Sequence, residues 1–277
     1  MGRIEDALNK AKVAQAGSTF APSRGDHTAN LHALNSQQSR RTPIFDELYK
    51  KARHYELDVE VLQKNRITSD DQALSVRSAY KMLRTRLLQR MRANNWNTLA
   101  ISSARSNAGK TLTAINTAIS IAHEPNKRVI LVDLDLRRPS VARYLGIEPQ
   151  YDLSDYLLNN VSIEKVAIRT SVERLVIIPN TAAQEYSSEL LSSTKMLSLV
   201  EKLSNDASGA IVIFDLPPML DADDMLAFSP QVDSLLFVVA ECETRRADLQ
   251  QVSELIEDLD VIGVILNKSD DDSPAYY

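Results

Sequence analysis

The sequence predicts an α/β fold with a mainly parallel sheet covered by helices on both faces, and three observations carry that expectation. From residue 98 onward, short apolar strand candidates alternate with helical stretches; two of those strands close on an aspartate; and one leads through a polar loop into Gly109-Lys110-Thr111. Alternation of this kind favours parallel strands joined by crossover helices, and strands buried on both faces read as continuous apolar runs.

The strand candidates are Thr98–Ser103, Val129–Asp133, Leu175–Pro179, Ala210–Leu216, Leu235–Ala240 and Val261–Asn267, with helices expected near 111–123, 188–204, 222–229 and 245–259. Ahead of them, residues 72–93 read as a basic amphipathic helix. Leu74, Tyr80, Leu83, Leu87 and Met91 recur at helical spacing beside Arg77, Lys81, Arg84, Arg86, Arg90 and Arg92. Phe45, Leu48 and Tyr49 suggest a short helix, and Leu57, Val59, Val61 and Leu62 an extended arm entering the core. Residues 1–15 place Ile4, Leu8 and Ala11 on one helical face, whereas 16–42, rich in Ser, Ala, Asn, Gln and Thr, read as a disordered linker. The predicted catalytic unit is then 43–268, followed by an acidic, flexible tail over 269–277 that carries Tyr276 and Tyr277.

Composition narrows the function. A formal net charge of -5 gives no reason to expect nucleic-acid binding. A single cysteine, Cys242, excludes an intramolecular disulfide framework and fits a reducing compartment. No apolar run reaches the roughly 18 residues of a membrane span, and the opening Met1-Gly2-Arg3-Ile4-Glu5-Asp6 is not a signal peptide. The expectation is a cytoplasmic protein whose membrane association comes through a partner. His27, His32, His54 and His123 are scattered and suggest no metal site; Trp96 reads as a packing residue.

The chemistry concentrates in three places. Strand 98–103 runs through Ala104-Arg105-Ser106-Asn107-Ala108 into Gly109-Lys110-Thr111 and a helix opening with Leu112. Strand, loop, Gly-Lys-Thr and helix form the context a phosphate loop requires. Its backbone N–H groups and the helix amino end cradle phosphates, Lys110 reaches the β- and γ-phosphates, and the Thr111 hydroxyl ligates Mg²⁺. Gly109 is the loop's only glycine; Asn107 tolerates a left-handed backbone more easily than most residues. The second place is Val129–Asp133 followed by Leu134-Asp135-Leu136-Arg137-Arg138-Pro139. While the chain stays extended, Asp133 and Asp135 share a face, where one carboxylate can hold the metal or its waters and the other can accept a proton from an attacking hydroxyl. Arg137 and Arg138 clamp phosphate or pair with acids. The third is Asp215, closing Ile211-Val212-Ile213-Phe214 before Leu216-Pro217-Pro218, in the Walker B arrangement near Mg²⁺. Asp221, Asp223 and Asp224 read as helix capping and solvated charge. Asn267 either presents a polar group to a nucleotide base or simply ends its strand.

With these motifs in order, residues 57–268 resemble the bacterial tyrosine kinases of capsule and exopolysaccharide systems, of the stand-alone cytoplasmic type. These kinases are a branch of the phosphate-loop ATPases related to the septum- and chromosome-positioning ATPases. The resemblance rests on Ser78 to Leu87, the phosphate loop, Asp133 to Pro139, Glu189-Leu190-Leu191-Ser192-Ser193, Asp215-Leu216-Pro217-Pro218, Thr244 to Leu249 and Gly263 to Lys268. It implies ATP and Mg²⁺ as cofactors, and Thr111, Asp133 and Asp215 at the metal. It implies contacts to the nucleotide from Arg105 to Leu112 and from Asn267. It implies Lys110, Asp133, Asp135 and Asp215 as catalytic residues, and phosphorylation of Tyr276 and Tyr277 between subunits of a homo-oligomer. It further implies a membrane polysaccharide co-polymerase, or chain-length determinant, as activating partner, and a cognate tyrosine phosphatase. Three departures stand in the sequence. Ser78 and Lys81 stand where the family's ring-forming helix carries Glu and Arg, its last Arg being kept as Arg84; Ser106-Asn107-Ala108 stands in place of Pro-Gly-Glu before the last loop glycine; and the tail has two tyrosines where the family often has a longer cluster.

Two rival readings share the same residues. One is a regulatory ATPase of the positioning type, in which ATP drives dimerisation and Arg105 stands where those enzymes carry a lysine that reaches across the dimer. The other is a nucleotide-gated scaffold recruited through residues 1–15.

Overall fold

The computed structural model describes residues 43–68 and 74–269. The expected amino-terminal helix and linker, and the tail with Tyr276 and Tyr277, lie outside the described residues.

The chain opens with helix α1 (Ile44–Lys51), edge strand β1 (Arg53–Tyr55) and helix α2 (Val59–Lys64). The expected extended arm is thus a short strand followed by a helix, which Asp58 caps by accepting from the Glu60 N–H at 2.8 Å. Helix α3 (Leu74–Asn94) leads to β2 (Thr98–Ser103), the phosphate loop and α4 (Lys110–Ala122). Then come β3 (Val129–Asp133), α5 (Val141–Leu145), α6 (Leu153–Asn159), α7 (Ile163–Val166), β4 (Ile168–Thr170) and β5 (Leu175–Ile178). The sequence reading missed α5, α6, α7, β1 and β4, because elements of three to seven residues leave too little periodicity to detect.

The stretch expected as one helix over 188–204 is two, α8 (Ser187–Leu191) and α9 (Thr194–Ser204). Ser193 breaks it: its hydroxyl accepts from the Met196 N–H at 3.2 Å and caps the second helix. β6 (Ile211–Asp215), α10 (Asp224–Phe228), β7 (Ser234–Ala240), α11 (Arg246–Leu255) and β8 (Val261–Asn267) complete the described chain.

The eight strands form one sheet in the order β1-β4-β5-β3-β6-β2-β7-β8, parallel throughout except between β4 and β5. Alternation along the central strands feeds two cores. Ala100, Ile130, Val132, Val212 and Phe214 face a cluster with Leu48, Leu153, Met196, Leu199 and Phe228, the two phenylalanines meeting edge to face at 5.0 Å. Leu99, Ile101, Leu131, Ile211 and Ile213 face Leu87, Met91, Ile115 and Ile119 of α3 and α4 on the other side. Each fully buried Leu or Ile contributes about 1.5–3 kcal/mol. Covering both faces leaves the carboxyl ends of β2, β3 and β6 as the place where polar groups gather, where open α/β sheets bind ligands.

Candidate active site

Register builds the site. Asp133 and Asp215 are direct partners across β3 and β6, and Asp215 pairs with Ile101 of β2, three residues before the phosphate loop begins at Ala104. Both carboxylates are fully buried.

The loop Ala104–Gly109 turns through two left-handed residues, Asn107 at φ +68° and Gly109 at φ +90°. At Gly109 a side chain is excluded twice over. The backbone is strained for an L-residue, and a Cβ would lie 2.1 Å from Asn267 Nδ2. Asn267 is close because its amide donates to the Ala108 carbonyl at 2.8 Å, so the end of β8 braces the loop.

Lys110 is buried, and its Nζ lies 2.7 Å from Asp135 Oδ2, 3.5 Å from Asp215 Oδ1 and 3.3 Å from Thr111 Oγ1. Burial pulls the ammonium pKa down, but the charges of Asp215, Asp135 and Asp133 outweigh it and the pKa rises. Thr111 is buried beside it, while Leu112 turns toward the α3–α4 core.

Asp133 and Asp135 do not share a face through strand extension. β3 ends at Asp133, and the chain then turns: the Leu134 N–H donates to the Asp215 carbonyl and the Arg138 N–H to Asp135 Oδ1. The turn still delivers Asp135 to Lys110. Asp133 Oδ2 accepts from the N–H groups of Ser140 and Val141, both at 2.9 Å. Burial, then the Asp215 charge, push the Asp133 pKa up to about 8 against the opposing pull of those N–H donors and Lys110. Burial likewise raises Asp215.

Sequence reasoning passed over Ser140 and Asp248, and it read Asp221, Asp223 and Asp224 as helix capping and solvated charge, whereas Asp224 is fully buried and Asp221 braces the phosphate loop. Ser140 donates its hydroxyl to Thr111 Oγ1 at 3.2 Å and its N–H to Asp133, joining the two halves of the centre. Asp221 Oδ2 accepts from both the N–H and the hydroxyl of Ser106, at 3.2 and 2.9 Å. Arg105 is gripped by Asp221 at 3.3 Å and Asp248 at 3.0 Å. Arg137 is paired with Asp223 and the buried Asp224, so the structural side of its two readings holds here. Arg138 reaches the Ser106 hydroxyl at 3.4 Å. The Pro217-Pro218 turn was the available signal for Asp221, since it sends the chain back along the phosphate loop.

The donor set suits a hard cation bound with phosphate. Both carboxylate oxygens of Asp215 are buried without a hydrogen-bond partner, and the Thr111 hydroxyl and Asp133 carboxylate stand nearby in the same acidic edge. Among the described residues no cluster of three or more His, Cys, Asp or Glu side chains could hold a metal ion. Mg²⁺ commonly completes its shell with water and substrate phosphates, which matches so sparse a protein contribution.

A family model described as "AAA domain" matches residues 96–269, the stretch that carries every described site residue. The chain belongs to this family. Its relatives include the tyrosine-protein kinase ptk of Acinetobacter johnsonii, 30% identical over 75% of this chain and 28% of the relative. They also include the tyrosine-protein kinase YwqD of Bacillus subtilis, 27% identical over 74% of this chain and 86% of the relative. The kinase domain of the Escherichia coli tyrosine kinase ETK superposes with a TM-score of 0.66 at 24% identity, covering 83% of this chain and 96% of that domain. The chain matches little more than a quarter of the length of ptk, but most of YwqD. The expected resemblance to bacterial tyrosine kinases is therefore borne out. In the helix that diverges from the family pattern, Arg84 points inward: it donates to the Ser120 carbonyl at 3.0 Å and pairs with Glu124 at 3.0 Å.

Proposed function

We propose that this chain is an ATP- and Mg²⁺-dependent tyrosine autokinase, phosphorylating Tyr276 and Tyr277 of a neighbouring copy and regulating polysaccharide polymerisation or export with a membrane co-polymerase. The observation that carries the reading is the buried Asp133–Asp215 pair set beside Lys110 and Thr111, with the Asp215 oxygens lacking any hydrogen-bond partner. The tyrosine-kinase names of the relatives support the acceptor, and two of the related proteins are named for polysaccharide systems: a succinoglycan biosynthesis transport protein and a kinase of a cps region.

Bound Mg²⁺–ATP supplies the transferable phosphoryl group and a cation that offsets its charge. The loop N–H groups and Lys110 hold the phosphates. Thr111, Asp133 and Asp215 hold the metal or its waters. Asp135 is the outermost of the three acids, 4% exposed against 0% for the other two, which supports it over Asp133 as the carboxylate that accepts the proton of an incoming tyrosine hydroxyl.

The dimerising-ATPase reading is weakened by Arg105, whose guanidinium is occupied by two carboxylates of its own chain. The test is incubation with Mg²⁺ and ATP, with and without the cytoplasmic segment of a candidate co-polymerase, followed by phosphosite mapping beside Lys110→Met and a Tyr276→Phe/Tyr277→Phe variant. Phosphotyrosine at 276 and 277, lost in both variants, is the expected result. ATP hydrolysis without phosphotyrosine, even with the partner segment, overturns the kinase reading.

A further inference from the structure

Among the described residues β8 is an edge strand, with an apolar face and a row of backbone groups that no other strand pairs. The Asn267 carbonyl accepts from the Glu241 N–H beside β7, so by strand alternation the N–H and C=O groups of Val264 and Leu266 point away from β7, toward the open edge. Val264 is 63% exposed and Leu266 56%, whereas Ile262 is buried. An edge that is seven residues long and apolar at two successive outward positions is the kind of strand that proteins ordinarily cover. At its start Arg90 donates to the Ile262 carbonyl, which leaves the stretch from Val264 to Asn267 as the open part.

We propose that this edge is the docking strip for the chain's own segment 270–277, which folds back on β8 and lays one of its two adjacent tyrosines on the face of Val264 and Leu266, the other pointing to the opposite face. Three observations choose this occupant. Lys268, the residue after the strand, has a left-handed backbone at φ +59°, the conformation that begins a chain reversal. The next residues, Ser269-Asp270-Asp271-Asp272, are of turn-forming types, and after a loop of this length Ser273–Tyr277 supplies about 16 Å of extended chain, enough to pass both Leu266 and Val264. The segment is tethered at the strand's end, so docking in cis carries the advantage of a high effective concentration. Tyrosine pairs well with aliphatic and β-branched residues across strands, covering apolar surface while its hydroxyl stays in water.

The regulatory consequence rests on the autokinase reading: a docked segment withholds its tyrosines from a neighbour's active site, and release from β8 becomes the step that exposes them. The docking itself does not depend on activity, so it is tested without ATP. Hydrogen exchange on the full chain is expected to show the Val264 and Leu266 amides slowed, and a Tyr276→Ser/Tyr277→Ser variant to speed them about tenfold, with no change over a roughly hundredfold dilution. Fast exchange in the wild type, or equal exchange in the variant, overturns the proposal. Protection that vanishes on dilution also overturns it, because the occupant is then a second copy. With ATP, Val264→Asp/Leu266→Asp is expected to raise the initial rate of tail phosphorylation several-fold. Absence of phosphotyrosine in every variant, with the exchange pattern intact, refutes the kinase reading and leaves the docking standing.

Discussion

Lys110 Nζ and Asp135 Oδ2 are 2.7 Å apart inside the protein, with Asp215 0.8 Å farther along the same ammonium, at 3.5 Å. The phosphate-loop cation is therefore neutralised by the strand edge it faces. On the proposed function, phosphate groups entering the loop would compete with two carboxylates for one lysine, and the acids so displaced would be free to hold Mg²⁺.

Lys110→Met is expected to lower phosphotransfer by at least two orders of magnitude, the usual loss when a preorganised charge at a transferring phosphoryl group is removed. A tail-phosphorylation time course measures it. Circular dichroism should show the variant folded, because the acids left behind can take up protons.

Asp215→Asn should separate stability from function. Burial raises the Asp215 carboxyl pKa against the pull of Lys110, 3.5 Å away, so a neutral amide relieves a buried charge while Asp135 still pairs Lys110 at 2.7 Å. Metal-free thermal melts are expected to hold or rise, by about 1 kcal/mol at most, while Mg²⁺-dependent nucleotide binding falls at least tenfold. A melt lowered by several degrees would contradict this account of the site.

The pH dependence of the unliganded protein has a definite sign. The Asp133 pKa is about 8 in the fold against 3.8 ordinarily, so the folded protein holds a proton that the unfolded chain releases. The resulting stability is fully present below pH 3.8 and is lost as pH rises through 8. Melting temperature should fall between about pH 5 and about pH 8, with a slope from this group of at most about 1.4 kcal/mol per pH unit. Asp133→Asn, whose amide oxygen still accepts from Ser140 and Val141, should flatten that slope. Mg²⁺ affinity runs the other way, strengthening as pH rises.

Gly109→Ala should destabilise by about 1–3 kcal/mol through its left-handed backbone, with a further cost from the contact with Asn267. Adding Asn267→Ala should recover the steric part alone. Denaturant melts of the two single variants and the double variant close that cycle.

Asp221→Ala should weaken binding of a fluorescent adenine nucleotide about tenfold, since the Ser106 end of the loop loses two hydrogen bonds worth about 0.5–1.5 kcal/mol each. Asp221→Asn keeps one acceptor and should fall between that variant and the wild type. Equal affinities in all three proteins would show that the loop keeps its shape without this contact.

Much of this architecture was legible in the sequence, for physical reasons. β3, β6 and β7 are buried on both faces, so their apolar runs stand out whatever their neighbours do, and Gly109-Lys110-Thr111 is recognisable from the strand and helix beside it. Lone residues that act through tertiary contact were not legible. Asp221 and Asp248 meet Arg105 across separations of 116 and 143 residues; the Pro217-Pro218 turn hints at the first, and nothing local marks the second. The Asp133–Asp135 spacing suggested the right pair for a wrong geometric reason: a turn after Asp133, rather than an extended strand, brings Asp135 to Lys110. Short β4 runs antiparallel to β5 with three residues of its own, too few to declare a direction.

The Asn267–Ala108 hydrogen bond has a thermodynamic corollary. It ties the last strand to the cradle of the phosphates, so the two share a free energy and must trade it symmetrically. Any change that bound nucleotide makes in the affinity of the β8 edge for an occupant is matched by an equal change that the occupant makes in nucleotide affinity. On the proposed docking, the tail and the nucleotide site would be linked through one amide.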